Sequence, residues 1–410
     1  MKKTGIVAQN ILLPENVDMT SWACIACDQF TSELKYWQDL QASLQGKRTT
    51  LDLILPEIYL NNNPDERIEK INENISEYLD SGVFKTLDKG FILTVRSTPY
   101  VKRRIGLVGA VDLEEYEFTA GKKALISSTE GTITERIPPR LKIRENAKVE
   151  FPHIMVLFDD EKREICEQLY ENRDKLEKVY DFELNAGGGH ITGYFVEDYK
   201  SVLNKFEELL DEQRLITKYG ANDKICFAVG DGNHSLATAK THWDNVKKGL
   251  SDQERQSHPA RYALAEFVNI YDEGVYFEPI FRLVKGVDGE EFKRQLLAKE
   301  YSNIGIYTSG KRIDAKGTLS LPEGIKSVDA FIKEYISKNG GEVDYIHGEK
   351  NLIDLVDEAN DRVGIFFDKL KKEDLFKYVV TKGAFPRKTF SMGEGVEKRY
   401  YLEGRKIRND

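Results

Sequence analysis

The chain has 410 residues, 40 % of them hydrophobic and 31 % charged, with 60 Lys and Arg against 69 Asp and Glu for a net charge of −9. That length exceeds the roughly 250–300 residues that one core serves, so internal subdivision is expected. The acidic balance opposes a broad grip on nucleic acid, the apolar runs fall far short of the roughly 20 residues of a membrane span, and four cysteines are too few for a disulfide scaffold. The N-terminal stretch is interrupted by Gln9 and Asn10 and carries no apolar export signal. A cytoplasmic protein is expected, with neither nucleic acid nor membrane as partner. Nothing in the sequence fixes an oligomeric state.

Cys24 and Cys27 form a C-x-x-C pair with no second pair to complete a zinc site, and Ala23, Ile25 and Ala26 around them read as buried apolar chain. Asp28-Gln29-Phe30-Thr31-Ser32 precedes a helix predicted over 32–45, which makes Asp28 a candidate metal ligand or helix cap. At 64–81 the residues Ile68, Ile71, Ile75 and Leu79 share one helical face, with Asn63 as cap, Pro64 in the first turn and Gly82 as the stop. Strands are predicted at 91–96 and 105–112.

Residues 117–150 show little periodicity and read as a long polar loop held extended by Pro138 and Pro139. Within it, Ser127 to Thr132 is followed by Glu135, Arg136, Arg140 and Arg144. Arginines can grip phosphate or carboxylate bidentately, and Glu130 is a candidate base or metal ligand; the same residues also read as a solvated charged loop. Further strands are predicted at 153–158, 191–196, 224–229, 261–269, 276–284 and 376–381, and helices at 160–178, 197–214, 234–248, 288–299 and 325–337. Strands do not alternate strictly with helices, so the expected class is α+β with mixed sheets, in three regions: 1–150, 151–300 carrying the main loop, and 301–410. Gly187-Gly188-Gly189 precedes a strand and no G-x-x-x-x-G-K-[ST] occurs, which disfavours a P-loop or Rossmann enzyme; His190 beside that run is a lesser ligand candidate.

The main chemical candidate is Gly230-Asp231-Gly232-Asn233-His234-Ser235, between a buried strand and a helix. Two glycines let the backbone turn sharply, and the N–H groups at the helix start can then face an anion. Asp231 is placed to hold a divalent cation or orient a hydroxyl, Asn233 to cap the helix, and His234 to donate to phosphate or move a proton. An Asp-Gly turn before a capped helix is also an ordinary structural connection. Near the end, Arg387 and Lys388 within Phe385 to Gly393 are candidates to neutralise an anionic ligand.

Four segments together resemble the family called domain of unknown function 1015: Asp231-Gly232-Asn233-His234, the stretch from Glu130-Gly131-Thr132 to Arg140, Phe277-Glu278-Pro279-Ile280-Phe281-Arg282, and Phe385-Pro386-Arg387-Lys388-Thr389-Phe390-Ser391. The family's loop usually reads Asp-Gly-His-His-Arg and is similar to loops of the ParB and sulfiredoxin-like superfamily, which includes free-serine kinases. Here Asn233 and Ser235 replace the first His and the Arg, so Arg136, Arg140 or Arg387 is expected to supply the charge. The resemblance implies a ParB/sulfiredoxin-like core with additional α/β substructures and a small phosphorylated or anionic ligand. It also implies Mg²⁺ and a nucleotide such as ATP or ADP, and phosphotransfer on serine or phosphoserine, as kinase or phosphatase. His234, Asp231 and Glu130 would be catalytic, with Gly232, Asn233, Ser235, Thr132, Arg136, Arg140, Arg387, Lys388 and His190 on the ligand. A non-catalytic nucleotide- or anion-binding regulator is the competing expectation.

Overall fold

The computed structural model describes residues 4–119, 121–220 and 225–409. The chain forms two compact units: one runs up to Val275 and takes in Val379–Gly383 and the segment from Glu394 onward, and the other comprises Tyr276–Tyr378 and Ala384–Gly393.

The first unit contains, in chain order, β1 (Gln9–Pro14), α1 (Leu34–Ser43), α2 (Pro64–Asp80), β2 (Phe84–Ser97), β3 (Arg104–Asp112), β4 (Ile126–Ser128), α3 (Ile137–Asn146), β5 (Met155–Phe158), β6 (Glu177–Leu184), β7 (Gly189–Val196), α4 (Tyr199–Leu209), α5 (Glu212–Tyr219), β8 (Phe227–Asp231), α6 (Asn233–Val246) and β9 (Tyr262–Asn269). Its main sheet has the order β6-β7-β2-β3-β9-β5-β8-β4. Antiparallel pairs (β2 with β3, β3 with β9, β5 with β8) mix with parallel ones (β9 with β5, β8 with β4). Every residue of β3 is buried, which is why Arg104–Asp112 reads as an unbroken run instead of an alternating one.

Local sequence accounts for much of this. Helix α2 buries Ile68, Ile71, Ile75 and Tyr78, one stripe of a 3.6-residue period, and Pro64 sits in its first turn, where a missing N–H costs nothing. Asn63 precedes it in a left-handed conformation without a side-chain cap. The same proline logic overturns the expectation of an extended loop at Pro138 and Pro139: both lie in the first turn of α3, where a fixed φ favours the helix. The helix expected over 160–178 is a short one at Cys166–Glu171, and Glu177 already opens β6. Lys224, the expected first residue of a strand, lies outside the described residues, and β8 runs from Phe227 to Asp231.

The last segment of this unit is woven into its core. Tyr400 and Tyr401 pair with Ile25 and Cys24, and Arg405 and Lys406 pair with Glu150 and Val149. Leu402 and Ile407 are buried there.

The second unit contains β10 (Phe277–Lys285), α7 (Gly289–Leu296), β11 (Ile304–Thr308), β12 (Lys311–Ala315), α8 (Leu321–Asn339), β13 (Glu342–His347), α9 (Glu349–Asp357) and β14 (Arg362–Phe367). The sheet order is β12-β11-β14-β10-β13, antiparallel throughout. Phe292, Ile325, Val328 and Ile365 are among its core residues. Residues 376–381, expected as a strand, belong to helix α10 (Lys372–Lys382). Strand β15 (Phe390–Met392) pairs antiparallel with the start of β10.

Candidate functional site

Strand β8 ends at Asp231, and Gly232 takes φ +79° before α6 begins at Asn233. A Cβ on Gly232 would stand 3.0 Å from Ile154 Cα, so both the left-handed backbone and the close approach demand glycine. Gly232 is itself the N-cap residue; Asn233, expected as the cap, is the first helical residue, and its Oδ1 accepts from Ser128 Oγ at 2.8 Å. Among the described residues, the main-chain N–H groups of Asn233 and Ser235 meet no protein acceptor. Donors at the start of a 14-residue helix carry partial positive charge and suit an anion.

The residues after β4 lie against this turn. Ser127 and Ser128 lie beside Ala228 and Val229 in parallel register. Thr129 Oγ1 donates to Val229 O at 2.6 Å, and Ile133 N–H donates to His234 Nε2 at 3.3 Å. Accepting at Nε2 places the proton of a neutral His234 imidazole on Nδ1, so Nε2 is not a donor to phosphate in this arrangement. Between these two latches sit half-buried Glu130 and Thr132, and Thr132 Oγ1 is buried without a hydrogen-bond partner.

Asp231 accepts Gly232 N–H at 3.0 Å through Oδ1 and pairs with Lys398 Nζ at 3.2 Å through Oδ2. Asp28 does not cap α1, whose N-cap is Glu33; its Oδ2 faces His153 Nε2 at 3.4 Å, and His153 Nδ1 lies 2.8 Å from the Tyr401 hydroxyl. Burial works against charge on both Asp28 and His153. The attraction between the two charges outweighs it, holding the carboxyl below its usual range and the imidazole above. These carboxylates do not form a Mg²⁺ cradle, because each already faces a protein cation. Among the described residues no group of three His, Cys, Asp or Glu side chains is placed to hold a metal.

Beside the turn lies a cavity of about 160 Å³, whose wall includes Cys27, Glu57, Arg140, His153, Ser235, Thr238 and Tyr401. Arg140 pairs with Glu57 and donates to Arg136 O at 2.7 Å. Burial lowers its guanidinium, and the nearby Asp28 carboxylate partly opposes that. Burial, followed by the nearby Asp28 charge, pushes the Cys27 thiol up to about 12, and burial pushes Cys24 equally far, so both are protonated thiols and not redox nucleophiles.

The structure therefore gathers Asp231, Gly232, Asn233, His234, Ser235, Glu130 and Thr132 around one turn, with Arg140 and Asp28 nearby. Arg136 is exposed. His190 lies on β7, five strand positions from β8, roughly 24 Å away by strand spacing, and pairs with Asp181 at 2.9 Å. Arg387 and Lys388 are exposed residues of the second unit, where Arg282 donates to Lys388 O at 2.9 Å. Sequence reading missed His153, Lys398 and Tyr401. Phe151-Pro152-His153 gave a weak signal, a histidine at the mouth of an apolar strand, whereas Lys398 sits in a charged stretch that reads as solvated tail.

Fold and turn together define a mixed α/β protein in which a left-handed glycine joins a buried strand to a helix. The chain belongs to the family described as protein of unknown function (DUF1015), which matches residues 10–345. Among solved structures it is similar to free serine kinase in complex with AMP at 11 % identity and TM-score 0.38, over 73 % of this chain and 91 % of that one. A conserved hypothetical protein from Pyrococcus furiosus matches at 11 % identity and TM-score 0.35, over 73 % and 94 % of the two chains. SbnI with C-terminal truncation from Staphylococcus aureus matches at 12 % identity and TM-score 0.36, over 70 % and 82 %. No curated protein matches the sequence.

Proposed function

We propose that the first unit binds the phosphate of a small phosphorylated molecule at the start of α6 and transfers that phosphoryl group to or from a small hydroxyl compound such as serine. The observation that carries this reading is the pair of main-chain N–H groups at Asn233 and Ser235 that meet no acceptor among the described residues, behind a glycine held left-handed. Lys398, 3.2 Å from Asp231, adds a fixed cation near the turn. Phosphoryl transfer requires positioning and charge neutralisation above all.

In this reading His234 and Asp231 position, and Glu130 acts chemically. His234 braces the 129–133 segment through Ile133 N–H, and Asp231 fixes the turn and orients Lys398. Glu130, between the two latches, takes the proton of the attacking hydroxyl. A nucleotide such as ATP or ADP is the phosphoryl donor in the kinase direction, and phosphoserine is the substrate in the reverse or hydrolytic direction.

The test is turnover of ATP with L-serine, and of phosphoserine alone, each with and without Mg²⁺, alongside calorimetric titration of the same compounds. Glu130→Gln should lower kcat by about 10²–10⁴-fold with little change in Kd, the range of general acid–base catalysis. His234→Ala should instead weaken binding. The engagement of His234 and Asp231 in fixed contacts favours a second reading, a non-catalytic anion sensor, and binding without turnover selects it. Absence of both binding and turnover removes both.

A further inference from the structure

The cavity beside α6 is not polar like the turn it adjoins, and its apolar wall points to a ligand of its own. Leu53, Ile71, Ile75 and Ile143 form much of that wall, and its charged residues are the Arg140–Glu57 and Arg144–Glu150 pairs together with His153. At about 160 Å³ it is close in size to an apolar cavity of about 150 Å³ that holds benzene in another protein. Its volume lies below the roughly 300–1,000 Å³ of pockets that enclose drug-sized ligands, so it is too small to contain a whole nucleotide.

Four buried polar atoms of this lining make no hydrogen bond: Arg144 Nε and Nη2, Glu150 Oε2 and His153 Nε2. His153 Nε2 has only the Asp28 oxygen at 3.4 Å, and its side chain is 3 % exposed. Arg144 contacts Glu150 at 2.6 Å through a terminal nitrogen, and Arg405 Nε contacts the other oxygen of the same carboxylate at 3.1 Å. Two guanidinium groups therefore share one buried carboxylate, leaving an excess positive charge. His242 registers the same field: burial first, then the charges of Arg144 and Arg408, push its imidazole down to about 4. A half-buried cation with an unused, buried N–H is poorly satisfied, and a second carboxylate would complete it.

We infer that this cavity binds a small monocarboxylate with an apolar body of about five to seven carbons, its carboxylate on Arg144 and its body against Leu53, Ile71, Ile75 and Ile143. The site differs from the phosphate cradle and stands whether or not phosphoryl transfer occurs.

Hexanoate is the probe and 1-hexanol, with the same body and no charge, is the comparison, both titrated calorimetrically into the full chain. Hexanoate should bind saturably and at least about 10-fold tighter than hexanol, about 1.4 kcal/mol. Ala147→Phe, which fills the cavity from the residue that follows α3, should abolish hexanoate binding. Excess inorganic phosphate should leave it unchanged. No saturable hexanoate binding to the wild-type chain, equal binding of hexanol, or an undiminished affinity in a folded Ala147→Phe variant each overturns the inference. So does competition by phosphate, which would place the carboxylate on the α6 turn instead. The hexanoate and hexanol titrations use the wild-type chain, so the inference stays testable even if Ala147→Phe fails to fold.

Discussion

Asp28 and His153 stabilise each other's charges, and the sign of that linkage can be measured. Asp28 titrates below its ordinary value of 3.8 in the folded chain, so its contribution is complete above about pH 4 and is lost as the pH falls through the lowered value. His153 titrates above its ordinary 6.5, so its contribution is complete below about that pH and is lost as the pH rises through the raised value. The pair stabilises most between about pH 4 and 6.5. Removing the Asp28 charge leaves His153 with burial, the largest influence, and Lys398 favouring the neutral ring against Asp231 alone. The gap in Tm between wild type and Asp28→Asn should be widest near pH 5–6 and shrink toward pH 9; a gap independent of pH would show that the pair is not linked as described. Gly232 supports a second prediction at this scale. Gly220 and Gly232 have φ of +70° and +79°, but a Cβ on Gly220 meets nothing within 4 Å while one on Gly232 meets Ile154 Cα at 3.0 Å. Gly220→Ala should cost about 1–2 kcal/mol, the penalty of the left-handed conformation, and Gly232→Ala measurably more by urea unfolding. Equal costs would mean that the α6 turn is not tightly seated.

Elements show which features the sequence exposes and which it hides. Helix α2 was legible because Ile68, Ile71 and Ile75 sit three and four residues apart, and the turn before α6 was legible because glycine marks a backbone that other residues avoid. Residues 376–381 misread as a strand because Tyr378-Val379-Val380 is a short apolar run of β-favouring residues. The helical signal lay in a wider window, where Leu375, Phe376, Val379 and Val380 are buried at spacings of one and four. Strand β6 was missed, with only its first two residues inside the helix expected over 160–178, although Tyr180, Phe182 and Leu184 alternate with charged residues. Pro138 and Pro139 misled differently, since proline breaks a helix interior yet starts a helix well. The side of the site made by His153, Tyr401 and Lys398 left no more than the weak local trace at His153. The His153–Tyr401 contact joins positions 248 residues apart, and no local pattern encodes so distant a pairing. The segments Phe277–Arg282 and Phe385–Ser391 carried family resemblance but meet as paired strands β10 and β15, where the Arg282 guanidinium is 0 % exposed and bonds Asp329 at 2.8 and 2.9 Å. Their resemblance reports packing of the second unit, which explains why Lys388 offers its carbonyl to Arg282.

Across the whole molecule, the final residues carry structure out of proportion to their number. Arg96 is buried with guanidinium bonds to the carbonyls of Gly188, Val396, Glu397 and Lys398, and burial, then repulsion from Arg104, lowers it to about 9. Trp22 Nε1 donates to Leu402 O at 3.0 Å, Tyr180 donates to Glu403 at 2.6 Å, and Glu150 is shared by Arg144 and Arg405. A chain ending at Gly393 would leave Arg96, Trp22 and Tyr180 with lost partners, each costing about 1–3 kcal/mol when the group stays buried. It would also lose the burial of Leu402 and Ile407, about 1.5–3 kcal/mol each. Those losses approach the roughly 5–15 kcal/mol by which a folded domain exceeds its unfolded state. The second unit, by contrast, keeps its sheet, since β10 to β15 all precede the cut. Hydrogen exchange on such a truncated chain should therefore show amides of β2 and β3 unprotected while those of β10, β11 and β14 remain slow; persistence of slow exchange in β2 and β3 would show that the first unit closes its core without residues 394–410.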